Sequence, residues 1–247
     1  MNKVALVTGA SRGIGRAIAI ALAEYDFSVA CFARDKAKLD ETVALIEAAG
    51  GKASTHTGDV SSDDDLQKLV DEVSALYGGI DVLVNNAGIT EGAAAKNISP
   101  DRFREVLNVN LVAPWVLARA TQPVMKARGG GVIINVGSTY GSTGVANNSP
   151  YCSSKAGIEG LTRALAREWA RDQIRVICVA PGFVKTDMVG DNFGGTEVEK
   201  LVVSRIPMKR FGEAEEIAQL IAFLSTSKAG FVTGETLVID GGQRSLI

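Results

Sequence analysis

The 247-residue chain balances 26 lysines and arginines against 28 aspartates and glutamates, and its net charge of −2 offers no basic field to a nucleic-acid backbone. One histidine, His56, and three scattered cysteines (Cys31, Cys152, Cys178) supply neither a zinc ligand set nor a disulfide framework, so free, mostly buried thiols in a reducing compartment are expected. No apolar run reaches the roughly 18 residues of a membrane-crossing helix, which points to a soluble, cytoplasmic protein with no membrane partner.

Met1-Asn2-Lys3 leads directly into Val4-Ala5-Leu6-Val7, which reads as a first strand rather than a signal peptide. Short β-branched apolar runs predict strands at 3–8, 28–32, 53–57, 81–85, 132–136, 174–179 and 236–239. Helical patterns fill the intervals near 14–25, 35–49, 62–77, 100–127, 151–171 and 213–226. This alternation predicts a single α/β domain of the doubly wound Rossmann type, a parallel sheet of about seven strands with helices on both faces. In 151–171, Ile158, Leu161, Leu165 and Trp169 recur at helical spacing, which turns Arg163, Arg167 and Arg171 outward. His56 reads as a partly exposed residue near a strand end. The rhythm breaks between 186 and 212, where Gly190, Gly194, Gly195 and Pro207 surround a short helical pattern at 196–204. A substrate lid and a plain surface excursion both fit a loop of this length.

The first strand runs into Thr8-Gly9-Ala10-Ser11-Arg12-Gly13-Ile14-Gly15, and a helix follows. Glycines at such a turn let the backbone approach a pyrophosphate held at the helix N-terminus. No Lys-Ser/Thr follows Gly15, which excludes a nucleotide-hydrolysing P-loop. The second strand ends in Ala33-Arg34, without the acid that would bond the ribose 2′-hydroxyl of NAD. Arg34 and Arg12 instead suit a 2′-phosphate, so NADP(H) is the expected cofactor. Asp35 reads as the N-cap of the next helix.

Tyr151 and Lys155 stand at i and i+4, on one helix face, with Ser138 thirteen residues upstream. A nearby ammonium favours a phenolate, so the Tyr151 pKa is expected to fall, giving a proton donor and acceptor for a carbonyl/alcohol pair. Pro150 suits a first helical turn, with Asn148 or Ser149 to cap it. Pro114, four residues after Asn110, has no N–H; in a continuous helix this leaves the Asn110 carbonyl open to a water.

Taken together, the turn at Gly9, Gly13 and Gly15, Asp59-Val60, Asn85-Asn86-Ala87-Gly88, Asn110, Ser138, Tyr151/Lys155 and Pro181-Gly182 resemble the short-chain dehydrogenase/reductase family over nearly the whole chain. The resemblance implies a seven-stranded parallel sheet and a catalytic set of Asn110, Ser138, Tyr151 and Lys155. It implies cofactor contacts along the glycine turn, including Ser11, Arg12 and Ile14, and at Arg34. Asp59 would take the adenine amino group, with Val60 beside the ring. Asn86, Ala87 and Gly88 would pass the adenosine ribose, and Lys155 would hold the ribose hydroxyls beside Tyr151. Pro181, Gly182, Val184 and Thr186 would border the nicotinamide. No metal site is implied.

Within the family the motifs are most similar to those of 3-oxoacyl-acyl-carrier-protein reductases, implying acyl thioester substrates, an acyl carrier protein as partner, a role in fatty acid biosynthesis and a homotetramer. The chain departs from that pattern at Glu91, at Gly129, Gly130 and Gly131, and at Asp172, where such reductases offer basic residues to the carrier; Arg128 and Arg171 lie next door. A reductase of small or cyclic ketones is therefore the alternative. A cofactor-binding regulator without catalysis is a third reading, disfavoured by the complete catalytic set.

Overall fold

Alternating residues of the first strand, β1 (Lys3–Thr8), face two different apolar layers. Ala5 and Val7 pack on one side of the sheet, and Val4 and Leu6 on the other. In this computed structural model, which describes residues 3–186 and 196–245, that split extends through a seven-stranded parallel sheet of order β3-β2-β1-β4-β5-β6-β9. The other strands are β2 (Phe27–Ala33), β3 (Lys52–Thr57), β4 (Val82–Asn85), β5 (Gly131–Val136), β6 (Ile174–Pro181) and β9 (Thr236–Ile239). On one face lie α1 (Gly13–Glu24), α2 (Lys36–Ala48) and the late helix Ala214–Leu224. The other face carries α3 (Asp63–Tyr77), then α4 (Pro100–Leu107), α5 (Ala113–Ala127) and α6 (Ser149–Trp169).

Strand order reverses between β1 and β4, which pair in register from Ala5 with Val82 to Val7 with Val84. The connections leaving their carboxyl ends diverge, and a crevice opens there, where ligands of such sheets bind. The glycine turn leaves β1 and the Asn86-Ala87-Gly88 stretch leaves β4 at this point.

Four local expectations are corrected. The helix expected over 100–127 is interrupted by a π-turn at Asn108–Val112. Pro114 cannot donate to Asn110, and its ring crowds that carbonyl, so the chain widens by a residue before continuing as α5. Neither Asn148 nor Ser149 caps α6 through its side chain; Asn148 occupies the cap position but directs its amide to the Ala146 carbonyl. His56 is buried, not partly exposed, because its ring sits between the Ser54 hydroxyl (2.9 Å) and the Glu72 carboxylate (3.2 Å). The last major helix starts at Ala214, since Gly212 and Glu213 form strand β8 against β7 (Val184–Lys185). Asp35 does cap α2, accepting from Lys38 N.

That small ribbon joins the two ends of the 186–212 excursion. Residues 187–195 of it lie outside the described residues; Glu197–Ser204 is helix α7. Near the C-terminus Phe211 is buried within the chain and Phe231 is fully exposed, while Leu246 and Ile247 lie outside the described residues. No helix among the described residues is long and apolar enough to cross a membrane.

Candidate active site

Gly9 and Gly13 adopt φ of +68° and +53°, which residues with a side chain rarely adopt. Gly15 is required for a different reason: a Cβ there would collide with the Gly9 carbonyl and stand 2.5 Å from the Asn86 amide nitrogen. The turn is thus folded onto the start of α1 and against the strand next door. Asn86 Nδ2 donates to the Thr8 carbonyl at 2.9 Å, and the backbone N–H groups of Asn86 and Ala87 both donate to Thr8 Oγ1 at 3.0 Å. Helix α1 has no acidic residue in its first turn and no side-chain cap at Arg12. Its first-turn amides, with no carboxylate in that turn, form a cradle that fits a dinucleotide pyrophosphate.

A cleft of about 860 Å³ runs from this cradle across the sheet edge. Every candidate cofactor residue lines it: Gly9, Ser11, Arg12, Gly13, Ile14 and Gly15, then Arg34, Asp59 and Val60, then Asn86, Ala87 and Gly88, and finally Pro181, Gly182, Val184 and Thr186. At its outer end Arg34 is exposed and stands 3.8 Å from Asp59. Asp59 accepts from Ser61 N and Oγ at 2.9 and 2.7 Å, bonds that hold its carboxyl below the usual range. Lys38 also lines this end, one turn of helix beyond Arg34, and Ser61 lies beside Asp59. Both were missed from sequence. The i,i+4 spacing of Arg34 and Lys38 across the cap of α2 was the available signal.

Ser138, Tyr151 and Lys155 line the opposite end. Ser138 leaves β5 in extended backbone, and its Oγ accepts from Tyr140 N at 3.2 Å, which fixes the hydroxyl toward the Tyr151 phenol. Tyr151 is the third residue of α6 and keeps part of its surface open to the cleft. Lys155 is buried one turn further, with its Nζ 2.7 Å from the Val136 carbonyl.

The expected lowering of the Tyr151 pKa is not met. Burial outweighs every other influence and pushes the phenol up to about 12, against the Ser138 hydrogen bond, which acts to lower it. The ammonium is directed at the Val136 carbonyl and lies 5.5 Å from the phenol ring centre. Burial also holds Lys155 down to about 8.

Asn110 does not line the cleft; it is buried beneath it, inside the π-turn. Its side chain clasps the loop after β4, accepting from Ile89 N at 2.9 Å and donating to the Ile89 carbonyl at 2.8 Å. The same amide donates to Ser154 Oγ at 3.0 Å, which in turn donates to the Tyr151 carbonyl at 2.8 Å. Asn110 therefore ties the Gly88 loop to the helix that carries Tyr151.

Glu91 and Arg128, named above in connection with a carrier protein, are engaged within the fold. Glu91 pairs with Arg102 at 2.6 Å, and Arg102 with Glu105 at 2.7 Å. Arg128 turns inward, donating to Asp81 at 2.9 Å and to the Gly78 carbonyl at 3.1 Å, whereas Arg171 remains exposed. Of the two arginines that could replace the missing basic residues, one is thus held within the fold.

A family model described as enoyl-(acyl carrier protein) reductase matches residues 9–244. The chain is 40% identical to the 3-oxoacyl-[acyl-carrier-protein] reductase FabG of Staphylococcus epidermidis, over 98% of its own length and 99% of that protein's. It is 38% identical to FabG of Thermotoga maritima, over 98% and 97%. Among solved structures, a short-chain type dehydrogenase/reductase from Mycobacterium marinum matches with TM-score 0.93 at 36% identity, covering 98% of this chain and 95% of that one. A protein of Beutenbergia cavernae, provisionally assigned as an NAD(P)-dependent gluconate 5-dehydrogenase and solved with NADP at low occupancy, matches with TM-score 0.94 at 37% identity, covering 98% and 97%. The chain belongs to the short-chain dehydrogenase/reductase family of oxidoreductases.

Proposed function

We propose that the protein is an NADP(H)-dependent reductase of ketones whose substrates are 3-oxoacyl thioesters. The observation that carries the reading is the convergence of the Ser138 hydroxyl, the Tyr151 phenol and the buried Lys155 ammonium at one end of a cleft whose other end is a glycine-built anion cradle. When bound, the nicotinamide cofactor supplies the hydride. The cradle at residues 9–15 would hold its pyrophosphate. Arg12, Arg34 and Lys38 would meet a 2′-phosphate, and Asp59 would take the adenine amino group.

Tyr151 donates its proton to the substrate oxygen, and Ser138, its Oγ fixed by Tyr140 N, donates a second hydrogen bond to the same atom. The proton moves downhill because the alkoxide that develops is far more basic than a phenolate. Lys155, 5.5 Å from the phenol ring centre, would stabilise the phenolate left behind and would hold the ribose hydroxyls of the cofactor. Because burial keeps the phenol up to about 12, Tyr151 is protonated at neutral pH and is set to donate to a carbonyl oxygen. Asn110, beneath the cleft, would hold the water that returns a proton through Lys155. Exposed Val112, Trp115 and Phe231 provide apolar surface for a homotetramer.

A second reading, reduction of small or cyclic ketones without a carrier protein, is favoured by the engagement of Arg102 with Glu91 and Glu105 and of Arg128 with Asp81. One experiment separates the readings: oxidation of NADPH and NADH by the purified protein with acetoacetyl-carrier protein, acetoacetyl-CoA, crotonyl-CoA and a panel of ketones. Ketone turnover with negligible thioester activity sinks the thioester reading. Crotonyl turnover alone would make it an enoyl reductase, and preference for NADH would remove the roles given to Arg12, Arg34 and Lys38.

A further inference from the structure

The cleft beside Tyr151 is walled by aromatic rings. Tyr140 stands edge-on to Tyr151, with ring centres 6.0 Å apart and planes at 83°. It meets Phe183 in the same way, at 6.2 Å and 85°. Phe183 lies on Phe211 at 5.9 Å, and Phe211 is buried, so the row of rings is anchored in the protein at its far end. Tyr140 and Phe183 both line the cleft.

The mount of this wall is stiff. Tyr140 N donates to Ser138 Oγ at 3.2 Å, and Gly141 N donates to the Ser138 carbonyl at 2.9 Å. At Gly141 the turn lies directly on α6: a Cβ there would stand 2.7 Å from the Lys155 carbonyl oxygen. Phe183 is held from the other side, its carbonyl accepting from Gly212 N at 2.9 Å. A side chain packed at two edges and tied at its backbone does not swing aside cheaply.

We propose that Tyr140 is a specificity-determining residue of this site: its ring closes the compartment next to Tyr151, so that ketones with a compact ring or a short acyl chain are preferred over long acyl chains. The proposal rests on the ketone-reductase reading above and names which members of that substrate class the site accepts. A flat substrate gains edge and face contacts with Tyr140 and Phe183. A chain that outgrows the compartment must displace a ring fixed on two sides, and each methylene without room costs about tenfold in kcat/KM. The ring carries this selection, so phenylalanine should substitute for Tyr140.

The test uses the full chain with NADPH and compares kcat/KM for acetoacetyl and 3-oxodecanoyl N-acetylcysteamine thioesters and for cyclohexanone, in wild type, Tyr140→Phe and Tyr140→Ala. Wild type and Tyr140→Phe should prefer the short thioester. Tyr140→Ala should shift the long-to-short ratio at least about tenfold toward the long chain, mainly through KM, and lose activity on cyclohexanone. Tyr140→Val carries the same expectation if the alanine variant no longer binds NADPH, read by cofactor fluorescence. A ratio unmoved in the alanine and valine variants, or moved as far by phenylalanine, overturns the proposal while leaving the ketone-reductase reading intact. A wild-type protein that reduces no ketone and no thioester overturns both.

Discussion

Replacing Asn110 by alanine removes three hydrogen bonds, one of them buried and two at the partly buried Ile89. Ile89 loses the acceptor for its N–H (2.9 Å) and the donor to its carbonyl (2.8 Å), while Ser154 loses a donor but keeps its own bond to the Tyr151 carbonyl. A stranded backbone group costs about 1–3 kcal/mol, toward the lower end where it is only partly buried, as Ile89 is. The two Ile89 groups together give about 2–4 kcal/mol, a large share of the ~5–15 kcal/mol that stabilises a typical domain. Urea unfolding followed by fluorescence of Trp115 and Trp169 measures the loss. Amide exchange at Ile89 should quicken well beyond the global change, because the loop opens locally. Asn110→Asp should be no milder, since its second oxygen would face the Ile89 carbonyl. A loss below about 1 kcal/mol in Asn110→Ala, with Ile89 exchange unchanged, would refute the argument that this side chain clasps the loop to the active-site helix.

Gly15→Ala should abolish cofactor binding in calorimetry and lower stability by at least about 1–3 kcal/mol, because the added Cβ meets backbone that cannot yield; wild-type affinity would show that the turn is not packed as described. Tyr151→Phe should cut turnover by at least about 100-fold while NADPH affinity persists, and wild-type reduction should be flat through neutral pH because the phenol is held up to about 12. A reductive limb titrating near neutrality would count against that. Lys155 is held down to about 8, below its ordinary 10.5, so the folded state binds fewer protons than the unfolded chain between those values, and stability should rise with pH through that window. Lys155→Met should lose this slope in paired urea titrations; an identical slope would rule Lys155 out as its source. Lys38→Ala should weaken NADPH binding and leave NADH binding unchanged, and equal losses for both would place Lys38 away from a 2′-phosphate.

The glycine turn and the Tyr151/Lys155 pair were readable because each depends on local geometry: positive φ after a strand, and i,i+4 spacing on a helix. The π-turn was hidden because Pro114 says only that a continuous helix is disfavoured, not how the chain will relieve the strain. The burial of His56 depends on Glu72, sixteen residues away on α3, and no local pattern announces such a partner. Tyr140 carried no local signal of its own beyond lying two residues after Ser138. Its meaning needed Phe183, which reaches it from the end of β6.

By itself the sequence determined the order of elements, the sheet between two helical layers, and the chemical identity of the groups at residues 9–15, 138, 151 and 155, since these follow from periodicity, backbone freedom and side-chain type. Only the tertiary structure decided their electrostatic state and surroundings. Packing set the Tyr151 phenol high rather than low, turned Asn110 into a clasp, drew Arg128 inward to Asp81, and stood Tyr140 against Tyr151. Each of those depends on which distant residues exclude water and share a hydrogen bond, and that is fixed only when the chain closes on itself.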